Sequence, residues 1–199
     1  MNKNTQEVII GSLLGDGWLT PIKSSRGTSS FCVKYHMKSL GYLLWLRAQV
    51  KELNPSKLHP TVKHLQYYFY TSVREDIGEL REIFYPHGKK IIPYDISDLL
   101  TSPKSLAIWY QDDGTLDRRS KYHWNAMFAT YCFSFGECEL LINALKQNFD
   151  LDVSITRCQM RGIVRYRLYI LSKSMNRFME IVKPYIHYEF RYKITNLKW

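Results

Sequence analysis

The chain has 199 residues, 45% of them apolar, 23% charged and 15% aromatic. That is the balance of a globular protein with length for one large domain or two compact halves. No apolar run approaches the roughly 18 residues of a membrane-spanning helix, and no segment lacks large apolar side chains, which excludes a membrane-integral or disordered chain. Against 18 Asp and Glu stand 28 Lys and Arg, leaving a formal charge of +10. Such an excess favours a polyanionic partner, nucleic acid before an anionic membrane surface. The opening MNKNTQEVII has no apolar h-region, so no secretory signal is expected. The four cysteines form no C-x-x-C pair, so reduced intracellular thiols are expected and a zinc site is not.

In chain order, the first element is an apolar helix, Ile9 to Leu14, closing on Gly15-Asp16-Gly17. A hairpin follows, with Trp18–Thr20 and Phe31–Tyr35 on either side of a polar turn. Tyr42, Leu43, Leu46, Val50 and Leu53 then share one helical face. Strands are predicted near Leu58–His64 and Tyr67–Ser72, and a helix near Arg74–Phe84. The order then repeats. Leu106 to Gln111 closes on Asp112-Asp113-Gly114, 97 residues after the first acid. Next come a hairpin from Thr115 to Phe133, a helix carrying Leu140, Leu141, Ala144, Leu145 and Phe149, strands Val153–Met160 and Val164–Leu171, and a helix near Ser174–Val182. Ser39 and Ser134 sit near the starts of the two middle helices. The closing glycines suit a C′ position with positive φ. The reading is an α+β fold with halves 1–92 and 93–199, joined by a short linker at Ile92–Ser97.

The doubled motif resembles the LAGLIDADG homing endonucleases in their single-chain, two-motif form. More narrowly, it is similar to the organellar and bacterial intron-encoded subgroup. The likeness rests on Leu14-Gly15-Asp16-Gly17, on Ala107-Ile108-Trp109-Tyr110-Gln111-Asp112-Asp113-Gly114, and on Phe84-Tyr85-Pro86-His87-Gly88-Lys89-Lys90-Ile91-Ile92-Pro93. Thr130 to Leu141, and Lys183-Pro184-Tyr185 through Tyr192-Lys193, resemble later blocks. The resemblance implies a pseudo-twofold duplication of an αββαββα unit, with two saddle-like antiparallel sheets and the motif helices packed at the centre. It further implies a monomeric, Mg2+-dependent double-strand DNA endonuclease with a long asymmetric target, Ca2+ supporting binding without cleavage. Asp16 and Asp113 would hold metal, with Gly15 and Asp112 beside them, and Lys90 and Lys193 would lie near the scissile phosphates. Asp112 adjoins Asp113, and the alignment with Asp16 favours Asp113 as the metal carboxylate. The pocket position on the second strand holds Cys32, Lys34 or Tyr35.

A carboxylate at the negative end of a helix dipole is unfavourable without a nearby cation, and magnesium is a hard cation that takes carboxylate oxygens. Gly11 and Gly15, four apart, would let another backbone approach closely. Residues two apart on a strand share a face. On that basis the candidate DNA-binding residues are Lys23, Arg26, Lys34, His36, Lys63 and Gln66 in the first half. In the second they are Arg119, Lys121, Arg157, Gln159, Arg161, Arg165 and Arg167. Arginine and glutamine can read guanine and adenine edges or bond phosphates. The aromatic run Tyr67 to Tyr70 reads as a buried strand, with single-strand base stacking as the alternative. A rival reading on the same fold is an RNA maturase with intron RNA as partner. A DNA-binding regulator ranks below it, because it would need an added domain. The implied location is intracellular, in a mitochondrion, a chloroplast or a bacterial cytoplasm.

Overall fold

The computed structural model of the protein describes residues 1–22, 25–61, 64–117 and 124–194. The chain divides into two compact units, Met1–Lys90 and Ile91–Trp199. Each contains the predicted order of helix, two strands, helix, two strands, helix, the second after one extra short helix, and each holds one four-stranded antiparallel sheet. The fold is α+β.

In the first unit, α1 (Lys3–Leu14) starts at Asn2, whose Oδ1 accepts a bond from the Thr5 N–H at 2.9 Å. That satisfies one of the donors left open at a helix N-terminus. From Val8 to Leu14 every residue is buried, as expected of a helix that is apolar all round. Strands β1 (Trp18–Leu19), β2 (Phe31–His36), β3 (His59–Thr61) and β4 (Gln66–Tyr70) run in the sheet order β1-β2-β4-β3. Helices α2 (Leu40–Gln49) and α3 (Glu75–Phe84) complete the unit. Phe31, Val33 and Phe69 point to the helix side, where Tyr42, Leu43 and Leu46 of α2 are fully buried. Burying a side chain of this size stabilises by about 1.5–3 kcal/mol. The Tyr67–Tyr70 run is not a wholly buried strand: Phe69 faces the core, edge-on to Phe31 at 6.3 Å, while Tyr70 is exposed. The 2.0 period of a half-covered sheet overrides composition here.

The second unit begins with a helix absent from the sequence reading, α4 (Ile96–Leu99). The supposed linker is core, with Ile92, Ile96 and Leu100 buried. Asn148 donates from Nδ2 to the carbonyls of Ser97 and Leu100 (2.6 and 2.9 Å), fastening this turn to the middle helix. Then come α5 (Pro103–Asp113), β5 (Gly114–Asp117), β6 (Asn125–Phe128), α6 (Phe135–Phe149), β7 (Val153–Met160), β8 (Ile163–Ile170) and α7 (Met175–Val182), with sheet order β5-β6-β8-β7. Trp109, Tyr110, Phe128 and Phe178 form one ring cluster, with Trp109 and Phe128 centroids 4.1 Å apart and Tyr110 edge-on to Phe178 at 5.0 Å. Strand β6 stops at Phe128, short of the expected Phe133, because the chain turns there: the Phe133 N–H bonds the Thr130 carbonyl and Ser134 caps α6. That cap is a full capping box, with Ser134 and Glu137 bonding each other's backbone N–H. Ser39, before α2, makes no such bond.

Candidate active site and nucleic-acid interface

At the end of α1 the chain turns tightly, the Ser12 carbonyl accepting from the N–H of both Gly15 (3.1 Å) and Gly17 (2.7 Å). Gly17 does not adopt positive φ, contrary to expectation. It is glycine for room: a Cβ there would stand 2.8 Å from the Ser12 Cβ and carbonyl oxygen. Asp16 projects exposed from this turn. Behind it, Lys90 donates from Nζ to the carbonyls of Gly15 (3.0 Å) and Gly17 (2.6 Å). Arg81 bonds the Leu19 carbonyl at 2.7 Å with its guanidinium 3.8 Å above the Tyr85 ring, holding β1 in place.

The second unit repeats the device by different contacts. Here α5 runs through Asp113, and Asp112 and Asp113 are both half-buried. Gly114 has φ −82°, again without positive φ, and a Cβ on it would collide with the Tyr110 ring and carbonyl. Lys193 is 7% exposed. Its Nζ donates to the carbonyls of Tyr110 (3.3 Å) and Gln111 (2.6 Å), and the Tyr110 hydroxyl returns a bond to the Lys193 carbonyl at 3.0 Å. Gln111 accepts from the His187 N–H at 2.6 Å, tying the segment Tyr188–Lys193 to the helix end. Burial pushes the His187 imidazole below its ordinary pKa, with Glu189 opposing. A cleft of about 230 Å³ opens between Thr115, Leu116, Tyr192 and Lys193. Sequence reasoning missed Tyr110, Gln111 and Tyr192; the signal for the first two was their position just before the acids.

The chemistry common to both ends is plain. A helix C-terminus carries about half a negative charge on its open carbonyls, and a cation there is favourable by about 0.3–2 kcal/mol. Each lysine ammonium supplies that cation to the helix or turn that carries the acid. Among the described residues no group of three or more His, Cys, Asp or Glu side chains is placed to hold a metal. The donors at each end are hard oxygens: a carboxylate and backbone carbonyls.

Register assigns the remaining candidates to faces. On the first sheet Lys34 lies opposite Tyr68, and His36 opposite Gln66. All four sit on the face away from α2, together with His59 and Thr61. Cys32 shares that side yet is buried, and burial pushes its thiol up to about 12, so it remains neutral. Tyr35 faces the core, edge-on to Tyr42 at 5.2 Å, which removes it from the pocket position. Arg26 is not on the sheet but in a turn, lining a cleft of about 750 Å³ with Arg74, Glu75, Asp76 and Glu79.

On the second sheet Arg165 pairs with Cys158 and Arg167 with Thr156, placing both arginines on the open face. Arg165 bonds the Tyr131 carbonyl at 3.2 Å, and Arg167 Nε has no hydrogen-bond partner among the described residues. Arg157 and Gln159 lie on the opposite face. They pair with Tyr166 and Val164, and Tyr166 packs on Phe135 of α6 at 5.5 Å. Arg161 and Gly162 form the two-residue turn between β7 and β8, both with positive φ (52° and 78°). Arg161 is therefore a turn residue rather than part of a strand face. Lys23, Lys63, Arg119 and Lys121 lie outside the described residues.

The sequence profile of the LAGLIDADG DNA endonuclease family matches residues 6–178. The chain is 28% identical to the cytochrome b mRNA maturase bI2 of Debaryomyces hansenii, over 98% of this chain and 75% of the relative. It is 28% identical to the probable intron-encoded endonuclease 1 of Wickerhamomyces canadensis, over 98% and 85%. Some longer relatives are matched over less than half their own length. The solved structure of the homing endonuclease I-WcaI bound to its DNA recognition sequence is similar with a TM-score of 0.81, at 27% identity, covering 97% of this chain and 86% of that one. With the doubled acid-tipped helix in place and the family profile spanning most of its length, the chain belongs to the LAGLIDADG DNA endonuclease family.

Proposed function

We propose that the protein is a site-specific homing endonuclease that hydrolyses both strands of a duplex as a single chain, at a long asymmetric target. The observation that carries this reading is the repeated construction at Asp16 and Asp113: an acid at the end of a buried helix, with a lysine bridging carbonyls of the same segment. A binding protein has no need of two such carboxylates.

A divalent cation of the magnesium type fits these donors. Such an ion takes one or two carboxylates and completes its shell with water and substrate phosphates, so a cage of protein ligands is not required. The Gly15 carbonyl already receives one cation, the Lys90 ammonium, and Asp16 beside it is exposed. In this reading Asp16 with Gly15, and Asp113 with Asp112, hold the metal, which when bound supplies an activated water and charge stabilisation at the leaving oxygen. Lys90 and Lys193 fix the backbone that carries each acid. The open sheet faces bind the duplex through Lys34, His36, Gln66, Arg165 and Arg167.

The test is cleavage of a randomised duplex library with magnesium, followed by Asp16→Asn and Asp113→Asn. Each variant is expected to lower double-strand cutting by about 10²-fold or more, as removal of a main electrostatic contributor does. Duplex binding in calcium should stay within about threefold. Undiminished cutting by either variant would overturn the assignment. The maturase relative supports a second reading, binding of intron RNA on the same surface. RNA splicing assistance that survives Asp16→Asn would favour it.

A further inference from the structure

The two open sheet faces differ in chemistry, and the difference is concentrated at one hairpin. In the first unit the open face carries Lys34, His36, His59, Gln66, Tyr68 and Tyr70, all with polar groups. In the second unit the open face of β7 and β8 runs from Ser154 and Tyr169 through Thr156, Arg167, Cys158 and Arg165, and turns apolar only at its end, in Ile163 and Met160. These two are 53% and 46% exposed at the tip of an eight-residue hairpin pair. Ile163 and Met160 are cross-strand partners, so their exposed side chains make one apolar contact surface at the end of the arginine column.

We infer that Ile163 and Met160 read thymine methyl groups in the major groove, beyond bases or phosphates taken by Arg165 and Arg167. This rests on the nuclease reading above and adds what its second sheet recognises. The arginines supply the charge complementarity that brings a duplex to this face. The C5 methyl of thymine is the apolar feature of the major groove, and apolar side chains contact it. Spacing agrees with this. Residues two apart on a strand are roughly 6.6 Å apart, close to two base pairs at about 3.4 Å each. Arg167, Arg165 and Ile163 therefore step along a groove at about two-base-pair intervals, which puts Ile163 about four base pairs from Arg167. Val164 is equally prominent at 49% exposure but lies on the other face, and so serves as an internal control.

The experiment uses the whole chain and the duplex it selects from a randomised library, with binding measured in calcium. Each thymine is replaced in turn by deoxyuridine, which lacks only the methyl. One or two thymines, about four base pairs from a guanine whose recognition depends on Arg167, should each lose about three- to fourfold in affinity on replacement. That is the effect of one methyl-sized apolar contact. Ile163→Ala or Met160→Ala should erase that sensitivity; Val164→Ala should leave it intact. Any of these results would overturn the inference: a selected site with no thymine at that distance, indifference to uracil throughout, or sensitivity that survives in both alanine variants. Preference for an RNA, whose uracil has no methyl, would also overturn it. If the chain selects and cuts no duplex at all, the nuclease reading fails first and this inference falls with it; a selected duplex indifferent to uracil sinks this inference alone.

Discussion

The ends of the two motif helices solve one problem in different ways. Helix α1 stops at Leu14 and presents Asp16 from a turn, exposed; α5 continues through Asp113 and keeps its acid half-buried. Lys90 accordingly bonds the carbonyls on either side of its acid, whereas Lys193 bonds those three and two residues before it. Lys193 is also enclosed by Tyr110 and sits 5.1 Å from the Phe190 ring. The element common to both ends is thus the charge arrangement, an acid beside carbonyls that an ammonium neutralises. The hydrogen-bond register is free to change.

That contrast can be broken at its glycines first. Gly114→Ala forces a Cβ into the Tyr110 ring and backbone, where nothing can yield without moving the ring cluster. A loss of about 3 kcal/mol is expected in urea denaturation, the upper part of the overpacking range. Gly17→Ala meets Ser12 less severely and should cost about 1 kcal/mol. Equal losses would show that the two ends are packed alike.

The lysines come next. Lys193→Met should cost about 2 kcal/mol, because two buried carbonyls lose a charged donor. Lys90→Met, at a half-buried position, should cost about 1 kcal/mol. Thermal melts of the two variants side by side measure the difference. Smallest is the contrast at the middle helices. Ser134→Ala removes a working cap and should cost about 1 kcal/mol, whereas Ser39→Ala, with no capping bond to lose, should stay within about 0.3 kcal/mol of the parent.

Much of the architecture was legible because the repeat of apolar periodicity was strong: both motif helices, the long strand Val153–Met160 and the helix faces of Leu46 and Leu145 follow directly from spacing. The misread parts have physical causes. The stretch Ile92–Ser97 looked like a linker because Pro93 and Asp95 mark a turn, but Ile96 and Leu100 bury together and Asn148 bonds the turn's carbonyls. The closing glycines suggest dihedral freedom from the sequence, whereas what they provide is space, a property set by Ser12 and Tyr110 across the turn. The acids were visible as residues; the lysine bridges were not, because 75 and more residues separate Lys90 from Gly15 and Lys193 from Gln111. Alternation grouped Arg157 with Gln159 and Arg165 with Arg167, but only the pairing of β7 with β8 says which pair faces away from α6.

The strict alternation of that hairpin has a practical meaning. Its side chains at 156, 158, 163, 165 and 167 share one surface, while the buried Leu168 and Ile170 anchor the other, and Arg161–Gly162 pins the loop length. The five outward positions can be randomised together as a cassette while the inward anchors hold the register, which, on the proposed function, makes this hairpin the handle for redirecting the protein to new sequences.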